Sequence, residues 1–169
     1  AATALLRVAA LCMVQDDPAQ APYGWSHCLT MPHGVLAVAP LAARPDDVLA
    51  VAATYVLGFR ATLGQVELDP SWAPDRPPGA RAELEALDGT PGEAVAAAWH
   101  AAGGATREAV AARLAARAAA HPDAHLAKYT LACLQQAEAD AEAAHLYLAA
   151  AAFLGAWWRA DPVTDDPLV

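Results

Sequence analysis

The chain has 169 residues, a formal net charge of −9, 57% hydrophobic and only 17% charged residues. That length suits one domain with a real core, and the composition excludes a disordered or fibrous chain. Ten scattered basic residues exclude binding to nucleic acid through its phosphates and make an anionic membrane surface a poor partner.

Alanine fills 48 positions, and there is no Ile and no Asn. Alanine is the strongest helix former, so the expected fold class is all-α, a multi-helix bundle, and not a β-sandwich. Leu5, Leu6, Val8, Leu11 and Cys12 recur at helical spacing within Ala1 to Val14, and Asp16-Asp17-Pro18 ends that helix. A loop with Pro22 and Gly24 leads to a helical turn at Trp25 to His33, which Pro32 is expected to break, and then to a helix reaching about Val38. Pro45-Asp46-Asp47 opens the next helix, because Pro suits a first turn and acids favour the positive end of the dipole; it runs to about Leu63. Four prolines between Val66 and Gly79 predict a loop. Helices follow at Ala80–Leu87, Pro91–Ala102 and Thr106–Ala120, then from Pro122 to about Ala137 and from Ala139 to Ala160. Residues 1–160 thus read as one helical domain, and Asp161 to Val169 as a loose acidic tail.

The three cysteines, Cys12, Cys28 and Cys133, are far apart and form no CxxC, which argues against a disulfide framework or zinc ribbon and for a cytoplasmic protein. The apolar stretch Leu146 to Trp158 is too short for a membrane span, and Ala1 to Val14 carries Arg7 with no cleavage pattern after it, so it reads as a helix and not as a signal peptide.

The helix at 122–137 has apolar residues nearly all round and is expected to be central and buried. At 100° per residue His125 and Lys128 share one 60° arc, flanked by Tyr129 and Ala132, with His121 one turn earlier. Lys128 is the single lysine of the chain. A composition biased against lysine accounts for that; so does a site requiring an amine that can lose its proton, which arginine cannot do. Such an amine is a base, a nucleophile, or the acceptor of carbon dioxide to form a carbamate. The chain's second candidate segment is His27-Cys28-Leu29-Thr30, where His27 is either a metal ligand or a structural histidine.

The run Asp123-Ala124-His125-Leu126-Ala127-Lys128 resembles the D-x-H-x-x-K segment near the C-terminus of questin oxidase-like proteins, and His27-Cys28-Leu29-Thr30 is similar to their H-x-x-T segment. The resemblance implies an all-helical fold and a non-haem iron oxygenase that oxidises aromatic polyketide-like substrates. It makes His27, His125 and a carboxylated Lys128 ferrous iron ligands, with Lys128 and His125 at the catalytic centre and Thr30, Asp123 and Tyr129 supporting them. Residues 1–160 resemble the C-terminal half of that family, whose further N-terminal half carries additional histidines, including a paired-histidine segment that this sequence lacks. His33 and His121 are the local substitutes; otherwise a second polypeptide or a homo-oligomer mate supplies the further histidines. A reduced nicotinamide cofactor is compatible with this chemistry, although the chain carries no motif for one. The alternative is a non-catalytic helical partner that completes or stabilises a separate catalytic chain, and an exposed Trp157/Trp158 patch would favour it.

Other chemistry is less well served. Glu142 and His145 make only one of the two E-x-x-H pairs that a di-iron bundle needs, so Glu138, Asp140 and Glu142 read as a solvated acidic face. His100 reads as a helix-end histidine on terminal carbonyls. Ser26 and Ser71 lie outside G-x-S-x-G, no glycine run precedes Lys128, and no H-E-x-x-H occurs. Cys28 directly follows His27, so the two diverge by 100° on a helix and make a poor nucleophile pair. Phe153, Trp157 and Trp158 read as core packing or a subunit contact.

Overall fold

A computed structural model describes residues 1–75 and 83–160. Among the described residues the regular structure is all helical, with no strand. The α-helices are α1 (Ala2–Gln15), α2 (Ser26–Ala37), α3 (Pro45–Leu63), α4 (Glu83–Ala86), α5 (Pro91–Ala101), α6 (Arg107–Ala120), α7 (Ala124–Ala139) and α8 (Ala144–Ala160). The expected tail at 161–169 and the start of the helix expected at Ala80 lie outside the described residues.

The most enclosed helix is α8. It buries eleven of its residues from Ala144 to Trp158, and it packs on α5, α7, α1 and α6. Its pairing with α5 is the most extensive between elements of the described residues. Both helices bury mostly alanine: Ala94, Ala97, Ala98 and Ala101 on α5, and Ala149 to Ala152 on α8. Side chains this small let two helix axes approach closely. The start of α5 is fixed by a capping box, in which Thr90 accepts from the Glu93 amide and Glu93 accepts from the Thr90 amide.

Helix α7 lies against α2, α6 and α8 and buries Leu126, Tyr129, Thr130, Ala132, Cys133 and Ala137. It does not bury its whole circumference. Ala124, Lys128, Leu131, Gln135 and Glu138 form a stripe in water, with Leu131 57% exposed. Leucine on a helix was read as burial, but a folded surface is also largely apolar.

Two further boundaries differ from the sequence reading. The segment expected as a loop at Pro22 and Gly24 is a π-helical turn, Ala21–Trp25, that runs straight into α2. Helix α2 then continues through Pro32, which is wholly buried. Proline removes only one main-chain donor, and burial of its ring offsets part of that cost. The final helix does not begin at Ala139, because a turn at Asp140 and a 3₁₀ segment, Ala141–Ala143, come first. Asp140 is buried there and accepts two bonds from Arg7 at 2.5 and 2.6 Å, so it does not belong to a solvated acidic face.

Candidate functional site

The site is built where the π turn and α2 meet the start of α7. The first side chains of α2 bond carbonyls of the π turn four residues back: Ser26 Oγ donates to Pro22 O at 2.6 Å, and His27 Nδ1 donates to Tyr23 O. π turns recur at functional sites because they leave main-chain groups for such contacts. Gly24 lies where the end of α3 closes on the turn: a Cβ there would stand 2.7 Å from Leu63 Cδ1 and 3.2 Å from Gln20 Cβ, so a larger residue requires the Leu63 side chain to shift.

On the other side, Asp123 is the N-cap of α7. Its Oδ1 accepts from the His125 amide at 2.7 Å and from His125 Nδ1 at 2.7 Å, and its Oδ2 accepts from the Tyr23 hydroxyl at 3.2 Å. Burial opposes ionisation of Asp123, but the amide and imidazole of His125 and the Tyr23 hydroxyl together hold its carboxyl below the usual range. Burial and the neighbouring carboxylate push the Tyr23 phenol up.

The two imidazoles therefore meet. The rings of His27 and His125 are 4.9 Å apart, edge to face, and Tyr23 stands edge-on to His125 at 5.0 Å. Each ring has Nδ1 committed to an acceptor, which places the lone pair of the neutral ring on Nε2. On its outer side His27 stacks on Phe59 of α3 at 6.5 Å. Phe59 also lines an open groove of about 310 Å³ along α3, together with Thr54, Tyr55, Gly58, Thr62 and Leu63.

The remaining sequence candidates are placed differently. Lys128 lies on the exposed stripe of α7. The expectation that burial would force its neutralisation is corrected, since an ammonium in water carries no such cost. His121 has Nδ1 at 3.1 Å from the Asp123 amide nitrogen and 3.4 Å from the Asp123 carbonyl, and its ring packs on Trp158 at 5.1 Å. His33 is half-buried further along α2, and burial lowers its pKa. Thr30 donates its hydroxyl to Ser26 O at 2.8 Å, and Tyr129 is buried beside Cys133 in the core. His145 stands edge-on to Trp99 at 4.1 Å, while Glu142 pairs with Arg7. His100 Nε2 is buried with no hydrogen-bond partner among the described residues, so this nitrogen does not serve the terminal carbonyls. Among the described residues no group of three or more His, Cys, Asp or Glu is placed to hold a metal ion.

Tyr23 and Phe59 escaped the sequence reading, and Trp158 was read as core packing or a subunit contact, not as a neighbour of Tyr23 and His121. The available signal for Tyr23 was its position four residues before His27, where a helical turn brings a carbonyl under the ring.

No family model matches the chain, and neither a curated protein nor a solved structure matches it. No helix among the described residues is long and apolar enough to cross a membrane.

Proposed function

We propose that this chain carries part of a non-haem iron site and acts in, or as a subunit of, an oxygenase that oxidises an aromatic, polyketide-like substrate, as the questin oxidase resemblance implies. One observation carries the reading. The histidines of two segments far apart in sequence, His27 and His125, come into ring contact with both Nδ1 atoms anchored. A backbone carbonyl and a carboxylate are the usual outer partners of metal-binding imidazoles, because they fix the tautomer and raise the basicity of Nε2.

The donor chemistry suits ferrous iron, for which neutral imidazoles are good ligands. His27 and His125 would be two of the ligands, and when bound the iron would supply activation of dioxygen. Both oxygens of Asp123 are already bonded to His125 and Tyr23, so it holds the His125 proton at Nδ1 and does not act as a ligand. Phe59 and the groove beside it offer an apolar face against which an aromatic ring can lie. Lys128 joins the ligand set only as a carbamate, one helical turn beyond His125. The remaining ligands then come from a second polypeptide or a second copy of this chain.

Elemental analysis of the purified full chain tests this. Iron should be present in the native protein and lost in His27→Ala and His125→Ala, with helicity kept. Full metal content in both variants would defeat it. The non-catalytic partner reading draws no support from Trp158, which is 7% exposed and packs inside on His121 and Tyr23. What favours it is the apolar outer face of α3, and it requires the native protein to carry no metal.

A further inference from the structure

We infer that the outer face of α3 is a self-association surface on which α3 of a second copy of this chain lies antiparallel. Helix α3 is 19 residues long yet buries only Ala52 and Val56. The opposite face, which runs through Asp47, Val51, Thr54, Gly58 and Thr62, is exposed along its length. Apolar side chains stand out on it and beside it: Val51 is 48% exposed and Leu57 67%. A soluble helix normally gives this face to charged residues. Here Val48 to Phe59 contains none.

Charge argues for the occupant. The chain carries a net charge of −9, so most pairings of its surfaces bring like charges together. The stretch Val48 to Phe59 meets a copy of itself without that repulsion. Shape argues the same way. The groove beside Phe59 is floored by Gly58, and a Cβ on Gly58 would touch nothing within 4 Å. An antiparallel register places Val51 of each copy over Gly58 of the other, a knob over a hole on both sides of the two-fold axis. The same register sets Val48 opposite Ala61 and the Asp47 carboxylate opposite the Thr62 hydroxyl. Phe59 joins this face to His27, so the second copy would approach the candidate site. Only that last link rests on the proposed iron reading; the contact itself rests on the surface of α3.

The experiment measures mass against concentration on the metal-free full chain, by sedimentation and light scattering, and so does not depend on iron. One helix pair is a small interface, so a dimer in the micromolar range is expected, with the mass rising from 17.4 kDa toward twice that value. Gly58→Arg should weaken the dimer by about tenfold or more while keeping or raising helicity, since arginine is a better helix former than glycine. Val51→Lys, at an exposed position, should do the same and guards against a Gly58 effect on folding. Leu131→Lys, on the exposed stripe of α7, should leave the dimer intact. A native chain that stays monomeric at a few hundred micromolar overturns the inference. So does a dimer that survives both α3 variants, or one that Leu131→Lys alone dissociates.

Discussion

Asp123 performs two tasks that substitution can separate. Its Oδ1 caps α7 through the His125 amide and also holds the His125 ring. Loss of an N-cap costs about 0.5–2 kcal/mol. Oδ2 adds a bond to the Tyr23 hydroxyl at the surface, which contributes about 0.5 kcal/mol. Asp123→Ala should therefore destabilise by about 1–2.5 kcal/mol, and at about 2–4 °C per kcal/mol for a chain this size the melting point should fall by several degrees. Asp123→Ser keeps a capping oxygen but cannot hold both the amide and the ring. It should melt close to the native protein, yet bind a probe metal such as Co²⁺ about 10–100-fold more weakly. Thermal melts and calorimetric Co²⁺ titration read the two effects. An unchanged melting point for Asp123→Ala refutes the cap, and native Co²⁺ affinity in Asp123→Ser refutes the anchoring of His125.

Three carboxylates rank by burial. The Asp16 side chain is fully buried, ion-paired with Arg60 and bonded by the Asp17 and Gln65 amides; Asp140 is nearly buried against Arg7; Asp88 is half exposed between Arg113 and Arg117. Asp16→Asn should cost about 2–4 kcal/mol in chemical denaturation, Asp140→Asn less, and Asp88→Asn under about 1 kcal/mol. Burial opposes ionisation of Asp16, but its amide and guanidinium partners depress its pKa overall. Its contribution is therefore complete above the unfolded value of about 3.9 and lost as pH falls through the lower folded value. Asp16→Asn should flatten that part of the acid limb, and an acid limb identical to the native one would show that Asp16 does not titrate there. Gly24→Val crowds Leu63 Cδ1 and Gln20 Cβ and should cost about 1–3 kcal/mol by thermal melt; a neutral result would mean that the Leu63 side chain gives way to it.

The helical class was legible because alanine content and proline positions agree with each other over most of the chain. Pairing of His27 with His125 was legible only through the two short segments, since no helical period links them. What failed was the inference from apolar circumference to burial at Lys128. Leu131 sits in water on the same stripe, and a helix wheel cannot say which apolar arc meets the core. Proline punctuation failed at Pro32 for a related reason: tertiary packing of the ring outweighed one lost main-chain bond. The Glu142–His145 spacing assumed one α-helix, whereas Glu142 lies in the 3₁₀ segment and pairs with Arg7, and His145 lies in α8 against Trp99. Tyr23 was hidden because its contribution is partly a backbone carbonyl, which any residue supplies.

The central claim is that His27 and His125 are two ligands of one iron. X-ray absorption at the iron edge on the native full chain counts imidazole scattering directly. The account predicts at least two imidazoles at the iron in the native protein and, wherever His27→Ala or His125→Ala retains metal, one fewer. A native chain without iron, or an imidazole count that neither substitution changes, would contradict it.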